Sequence, residues 1–351
     1  MKRILTIDGG GIRGLFALQI LKRIETLVLD RHGQALHEYF HLIAGTSTGG
    51  IIATLLSWGY SVGEIDAFYW EHAHTIFSRN RLIKLLQCRF RCDRFSALLK
   101  ETFQEANGDA ALLGTQRLKT LLLLIMRNAS TGAPWPICNN PHATYNDPAL
   151  PDCNLNLPLW QIVRAGTAAP TFFQPELLPL GDHPFWFVDG AVSPYGNPSL
   201  IALLFALLPE YRIGWTPGED NLLLLSVGTG CCRKNPSAKS VEKMNLLQQA
   251  ALAFNLTISS QALHEDLLCR LLGRCLYGAP IDSELGDQKD CALFQPRLCA
   301  YARYDRVFGS EEVSDRRIGN RLGLDNLRAM PFLRDAGLAY AAEAVRAEHL
   351  L

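Results

Sequence analysis

A serine lies in a setting typical of an enzymatic nucleophile. Ser47 is the centre of Gly45-Thr46-Ser47-Thr48-Gly49, a G-x-S-x-G pattern between an apolar run at 41–46 and a helix-like run at 48–58. A serine on a sharp strand-to-helix turn needs small neighbours, because the flanking residues meet across the turn. The amide after it lies at a helix N-terminus and can donate to a developing oxyanion. The pattern predicts a nucleophilic serine, with a helix N-cap as the alternative.

A serine nucleophile needs a base to take its proton. Asp189 is the best candidate, because it ends the apolar run Phe185–Val188 and opens a small-residue turn, Asp-Gly-Ala. In open α/β sheets, ligands bind at the carboxyl ends of strands, and Ser47 also follows a strand. We therefore expect Ser47 and Asp189 to meet, and an ordinary turn or cap role for Asp189 is the alternative. Weaker candidates for the base are His183, His264 and His349.

A glycine-rich turn follows the first apolar run. Gly9–Gly14 reads GGGIRG and matches the G-x-G-x-x-G pattern of dinucleotide sites. A dinucleotide site also needs an acidic residue at the end of the second strand, where it binds the ribose. Here Asp30 lies instead at the end of the helix that follows the glycines. An oxyanion hole fits better, since glycines let amides converge and the helix from about Leu15 adds positive potential. Arg13 adds a fixed charge, directed either at the site or at the loop. Together with the serine, this loop predicts acyl transfer.

Alternating strands and helices must position these residues. Strands are predicted over Arg3–Ile7, His41–Thr46, Leu118–Met126, Phe185–Val188 and Asn221–Val227, and helices over Leu15–Leu29, Thr48–Trp58, Ser61–Phe77, Leu159–Thr167 and Ser199–Leu208. The alternation predicts a three-layer α/β/α fold with a mostly parallel central sheet. The C-terminal region is predicted to form a helix over Val241–Leu272, an edge strand over Arg297–Phe308 and a long helix over Asp325–Glu348. We expect a catalytic part at residues 1–230 and a helical portion at 231–351 packed on the same domain.

Composition limits the class of protein. The 351 residues are 48% apolar and 19% charged with a formal net charge of zero, so bulk charge gives no argument for a nucleic-acid partner. The longest apolar runs are shorter than a spanning helix. The ten cysteines show no zinc-ligand spacing, and neither a metal nor a cofactor is expected. A cytoplasmic protein fits best, and secretion without a signal peptide is the alternative.

Three ordered motifs resemble the signature of the patatin-like phospholipase family. They are Asp-Gly-Gly-Gly-Ile-Arg-Gly at Asp8–Gly14, the serine motif at Gly45–Gly49 and Asp-Gly-Ala at Asp189–Ala191. The resemblance implies a patatin-like fold for residues 1–230 and a Ser-Asp dyad without histidine, in which Ser47 is the nucleophile and Asp189 the general base. It implies an oxyanion hole at Gly10 and Gly11, supported by Gly9 and Arg13. The supporting motif glycines are Gly14, Gly45, Gly49 and Gly190.

The resemblance also implies hydrolysis of acyl esters of phospholipids or related lipids without a metal. Two rival interpretations remain, a serine esterase for soluble substrates and a catalytically silent module that responds to lipids or nucleotides. Basic and apolar residues interleave over Arg79–Phe95, and we expect Arg89, Arg91 and Arg94 to contact anionic headgroups, with an ordinary surface element as the alternative. Because a lipid substrate requires contact with an interface, we also expect the protein to associate peripherally with a membrane when it is active. An unidentified activator is a further expected partner.

Overall fold

A computed structural model describes residues 1–78, 88–232, 244–291, 293–309, 312 and 323–351. The described helices are α1 (Gly14–His32), α2 (Leu36–Tyr39), α3 (Thr48–Trp58), α4 (Val62–Ile76), α5 (Cys92–Thr102), α6 (Leu159–Gly166), α7 (Ser199–Leu207), α8 (Leu246–Leu272) and α9 (Met330–Ala344). The described strands are β1 (Lys2–Ile7), β2 (Leu42–Thr46), β3 (Leu121–Asn128), β4 (Pro134–Cys138), β5 (Glu176–Leu180), β6 (His183–Asp189), β7 (Leu222–Val227), β8 (Cys231–Cys232), β9 (Arg274–Tyr277), β10 (Ala300–Tyr304) and β11 (Val307–Phe308).

Nine of these strands form one mixed sheet. Its order is β5-β6-β3-β2-β1-β7-β10-β9, and β4 also pairs with β3. The strands from β3 to β9 along this order run parallel, whereas β4 and β6 run antiparallel to β3 and β5 runs antiparallel to β6. β8 and β11 form a separate two-stranded ribbon. The predicted mostly parallel sheet is confirmed.

Helices cover both faces of the sheet. Successive residues of a strand point to opposite faces. In β1, Leu5 packs in the core cluster that contains α1, α3 and α9, whereas Ile4 packs in the cluster that contains α7 and Cys269 of α8. Burial on both faces explains why β7 reads as the continuous apolar run LLLLSV, all of it buried. The arrangement is the predicted three-layer α/β/α fold.

The C-terminal region differs from its prediction in two ways. β10 was expected within an edge strand, but it pairs with β7 on one side and β9 on the other, so it lies inside the sheet. The predicted long helix is a short 3-10 turn, α9 and a second short turn. α8 begins at Leu246, and residues 241–243 of the predicted helix lie outside the described residues. The boundary at about residue 230 stays a prediction.

Candidate active site

Ser47 lies on a strained turn between β2 and α3. Its backbone has φ 53° and ψ −124°, a region that non-glycine residues seldom adopt. The two motif glycines make this turn possible, since a Cβ on Gly45 would overlap the Gly49 carbonyl and one on Gly49 would overlap the Ile7 carbonyl. The elbow expected from the sequence is therefore present.

Asp189 contacts the serine directly. Ser47 Oγ donates to Asp189 Oδ2 over 2.6 Å, and the amide of Ala191 donates to Asp189 Oδ1 over 2.8 Å. Asp189 is 2% exposed. Burial raises the pKa of its carboxyl to about 6, although the bonds from Ser47 and Ala191 and the charge of Arg164 favour the ionised form. The carboxylate can therefore both orient the hydroxyl and accept its proton.

The two residues meet for a reason other than the one predicted. The sequence suggested two parallel strands ending at one edge, but β6 runs antiparallel to β3 and five of its seven residues are not buried. Thr46 of β2 is aligned with Ile125 of β3, and the next β3 residue, Met126, is aligned with Asp189. β6 thus ends at the level where β2 ends, and this register places Asp189 beside Ser47.

The glycine loop lies over Ser47, but its three glycines differ in role. The Gly9 amide donates to the Gly196 carbonyl over 3.1 Å, so Gly9 is not a free donor. A Cβ on Gly9 would lie 3.2 Å from Ser47 Cβ, which shows how closely the loop approaches the serine. Within the described residues, the amides of Gly10 and Gly11 have no hydrogen-bond acceptor. These two amides remain as candidate oxyanion donors.

Neighbouring side chains hold the loop in a shape that only glycines allow. Gly11 has φ +56°, and a Cβ there would overlap the Leu324 carbonyl. A Cβ on Gly10 would overlap the Thr229 side chain. Arg13 Nε donates to the Gly10 carbonyl over 3.3 Å, so of its two predicted roles the structure shows the one that holds the loop.

The other two motif glycines serve close packing. A Cβ on Gly14, the first residue of α1, would lie 2.9 Å from Thr48 Oγ1 in α3. A Cβ on Gly190 would overlap the Ile125 carbonyl of β3. Gly14 therefore lets α1 approach the serine helix, and Gly190 lets the turn after Asp189 lie against the sheet.

A largely apolar cleft with a cavity volume of about 70 Å³ opens at Ser47 and Asp189. The side chains of α3, α4 and the loop after α6 form much of its wall, including Ile51, Tyr69, Ile76, Phe77, Phe172 and Phe173. Ile258 of α8 and Leu324 complete it from the C-terminal region. Ser47 thus faces a mostly apolar cleft.

A second, more polar cleft of about 590 Å³ lies at the opposite end of the strands. It is lined by Lys2, His41, Lys119 and Trp215 among others, near the amino ends of β1, β2 and β3. Ser47 and the glycine loop follow the carboxyl ends of β2 and β1, so this cleft contains none of the predicted site residues.

The three arginines that were predicted to contact a membrane differ in their contacts with the rest of the protein. Arg89 Nη1 lies 2.6 Å from Asp325 Oδ2, and Arg91 Nη2 lies 2.6 Å from Asp93 Oδ2. Arg94, on α5, is exposed. Arg89 therefore joins two distant parts of the chain, whereas Arg91 pairs with a near neighbour; the two side chains are similarly accessible, at 42% and 37% exposed.

The apolar part of that predicted surface is only partly described. Phe90 and Phe95 are each 1% exposed and pack in the core with Phe173, so they do not form an apolar surface for lipid. The remaining members of the stretch at 79–87 lie outside the described residues. In the described part of the chain, no helix is both long and apolar enough to cross a bilayer.

Sequence reasoning missed three residues that shape the site. Thr229 Oγ1 donates to the Gly9 carbonyl over 2.9 Å. Arg164 is fully buried, and its guanidinium lies 5.0 Å from the centre of the Phe173 ring. Arg303 forms an ion pair with Asp8, directly before the glycines. Thr229 and Arg164 lie in the short runs GTG and RAGTAAP, but no local pattern marks Arg303.

The fold is a three-layer α/β/α sandwich in which Ser47, on a tight strand-to-helix turn, bonds the buried Asp189 beside a glycine-rich loop. A family model described as patatin-like phospholipase matches residues 5–203, more than half of the chain. The chain belongs to the patatin-like phospholipase family. The resemblance inferred from the three motifs is confirmed.

Named relatives are similar over about two thirds of the chain. The chain is 31% identical over 235 residues to a cGAMP-activated phospholipase of Escherichia coli strain TW11681, covering 65% of this chain and 62% of the relative. It is 38% identical over 230 residues to a cUMP-AMP-activated phospholipase of E. coli, covering 65% and 64%. The chain thus spans less than two thirds of the length of these relatives. Among solved structures, VipD from Legionella pneumophila is similar with a TM-score of 0.40 and 12% identity, over 97% of this chain and 66% of VipD.

Proposed function

We propose that this protein is a lipid acyl hydrolase of the phospholipase A or lysophospholipase type, which cleaves acyl esters with a Ser47–Asp189 dyad. The observation that carries the proposal is the 2.6 Å hydrogen bond from Ser47 to a buried Asp189, beside two glycine amides without acceptors among the described residues. This is the arrangement that acyl transfer requires, namely a nucleophile, its base and donors for the oxyanion.

The proposed reaction has two steps. Asp189 takes the Ser47 proton as Oγ attacks the ester carbonyl, and the amides of Gly10 and Gly11 donate to the oxyanion. The tetrahedral intermediate collapses, the alcohol or lysolipid leaves with a proton from Asp189, and an acyl-serine remains. Water, deprotonated by Asp189, then releases the fatty acid. A carboxyl pKa of about 6 favours this role, since the base is ionised at neutral pH yet stronger than an ordinary aspartate.

The cleft supports a lipid substrate. Its apolar wall, with Phe77, Phe172 and Phe173, offers little to a polar substrate but can bury an acyl chain at about 25 cal/mol per Å². Relatives named as phospholipases support the same class. An esterase for soluble substrates would not require such an apolar wall. A catalytically silent module would not require Ser47 in a strained backbone conformation.

Fatty-acid release from mixed phospholipid vesicles, followed by mass spectrometry, tests the proposal. We expect release by wild type and none above background by Ser47→Ala. Ser61→Ala is the matched control, because Ser61 caps α4 and bonds Glu64 rather than Asp189. A soluble activated ester assayed in parallel separates a wrong substrate class from an inactive serine. Equal release by wild type and Ser47→Ala would contradict the dyad.

We further propose that an activator controls this hydrolysis. The proposal is supported by two relatives whose names state activation by cyclic nucleotides, cGAMP and cUMP-AMP. The vesicle assay should be run without nucleotide and with each of these compounds. A rise in the initial rate with one of them would support nucleotide control, whereas identical rates in all samples would count against these two activators.

A further inference from the structure

A buried ion pair lies directly behind the glycine loop, and the dyad mechanism does not use it. Arg303, on β10, is 4% exposed, and Asp8, the residue before Gly9, is 5% exposed. Arg303 Nη1 donates to Asp8 Oδ1 over 3.2 Å and Nη2 donates to Asp8 Oδ2 over 2.6 Å. Two parallel hydrogen bonds of this kind fix both the position and the plane of the carboxylate.

Other contacts hold the guanidinium itself in place. Arg303 Nη1 also donates to Ser226 Oγ of β7 over 2.7 Å, and Nη2 donates to Asp305 Oδ2 over 2.8 Å. Arg303 Nε lies 3.8 Å from Asp266 Oδ2 of α8. Asp8 is thus held by a cation that is anchored on the neighbouring strand and near a helix of the C-terminal region, rather than by a free side chain.

Thr229 and Leu324 hold the glycine loop at two further points. Thr229 Oγ1 donates to the Gly9 carbonyl over 2.9 Å, and the Ile12 amide donates to the Leu324 carbonyl over 2.8 Å. Gly10 and Gly11 lie between these fixed points. Three contacts from residues 229–324 therefore define the path of the segment that carries the two free amides.

We propose that Arg303 is a positioning residue for the oxyanion hole, which fixes Asp8 and thereby the direction of the Gly10 and Gly11 amides. The inference rests on the proposed function, because these amides matter only if an oxyanion forms there. Arg303 does not touch the substrate. It lies beyond residues 5–203, the part of the chain that the family model matches.

Both the charge and the planar shape of the arginine side chain matter at position 303. Burial raises the pKa of Asp8 to about 6, although the charge of Arg303 and its hydrogen bonds lower it. Removing the guanidinium would favour the protonated Asp8 at neutral pH and abolish the bidentate contact. Lysine would keep the charge but could not reproduce the planar, two-bond geometry. The substitution to lysine therefore separates charge from geometry.

The test compares Arg303→Lys and Arg303→Met with Arg270→Met. Arg270 is the control, because it is equally buried and forms a bidentate pair with Asp266 at 2.9 and 2.6 Å but does not contact the loop; its one link to Arg303 among these contacts is Asp266, which lies 3.8 Å from Arg303 Nε. With p-nitrophenyl butyrate as substrate, we expect kcat to fall about 10-fold in Arg303→Lys and about 100-fold in Arg303→Met, with KM nearly unchanged. Arg270→Met should lose stability but keep kcat per folded protein within about twofold.

A second readout is independent of activity. The amides of Ile12 and Arg13 are hydrogen-bonded to Leu324 and Gly10, so hydrogen exchange of a peptide spanning the loop reports its opening. We expect faster exchange in Arg303→Lys than in wild type and Arg270→Met. Unchanged loop exchange, or a loss confined to KM, would overturn the positioning role. If the wild-type protein does not hydrolyse the ester, the proposed function is contradicted. The hydrogen-exchange result still decides in that case whether Arg303 positions the loop.

Discussion

Among the single residues of the site, Asp189 has a carboxyl whose ionisation is controlled by burial. Its carboxyl accepts hydrogen bonds from Ser47 and from the Ala191 amide, which favour the ionised form. Burial outweighs them and raises the pKa to about 6. The same physical cause affects both the reaction rate and the stability of the protein, and the two effects can be measured separately.

The rate should follow the ionisation of this carboxyl. We expect kcat/KM of wild type on a soluble ester to rise with pH, reach half of its plateau near pH 6 and stay high above it, because the base must be unprotonated. Asp189→Asn should lower kcat by about 10²-fold or more at pH 7.5, since an amide cannot take the proton. A variant that retained wild-type kcat would exclude Asp189 as the base.

The effect of Asp189 on stability has the opposite dependence on pH. A folded-state pKa of about 6 against the ordinary 3.8 means that the folded protein holds this proton more tightly than the unfolded chain, so stability falls as pH rises through that interval. The full difference corresponds to about 3 kcal/mol. We expect Asp189→Asn to unfold like wild type near pH 4 and to be more stable by up to about 3 kcal/mol above pH 7. Denaturant titrations at both pH values measure this, and a variant less stable at the higher pH would contradict the assignment.

Among the secondary-structure elements, α3 begins with two glycines, and substitutions of these glycines test the tight turn at Ser47. A Cβ on Gly49 would overlap the Ile7 carbonyl, whereas one on Gly50 would lie 3.3 Å from the flexible Leu124 side chain. Gly49→Ala should therefore destabilise the protein by about 3 kcal/mol and remove activity. Gly50→Ala should be tolerated, because alanine favours the helix by about 1 kcal/mol. Thermal unfolding and ester hydrolysis of the pair provide the test, and equal behaviour would show that the turn does not need Gly49.

The α5 element carries the proposed membrane contact. Arg91→Glu/Arg94→Glu should weaken binding to vesicles of anionic phospholipid, while hydrolysis of a soluble ester stays near the wild-type rate. Arg89 is left unchanged, because its ion pair with Asp325 would be lost as well. Lys100→Glu, at the other end of α5, is the control for a single charge reversal and is compared with Arg94→Glu alone. Vesicle co-sedimentation measures binding, and equal losses in binding and soluble-ester turnover would argue against docking.

At the scale of the whole molecule, the C-terminal region completes the sheet. β10 pairs with β7 over five aligned residues, and Arg303 on β10 pairs with the buried Asp8. A fragment of residues 1–230 would expose the edge of β7 and leave Asp8 without its cation, both of which are costly. We expect this fragment to be insoluble or to unfold without a cooperative transition. Co-expression with residues 231–351 should recover soluble protein, and a cooperatively folding, active fragment would contradict this account.

Local patterns in the sequence predict the serine turn, the glycine loop and most of the helices and parallel strands, because each depends on neighbouring residues. The small residues around Ser47, the four glycines and the arginine of the loop, and the apolar period of α3 are such local signals. The folded structure was needed to see that Gly9 donates to Gly196, that β6 runs antiparallel and that β10 lies inside the sheet. Strand order and register arise from contacts between distant segments, which no local pattern encodes. Arg303 is 295 positions from Asp8, and only the folded sheet brings them together.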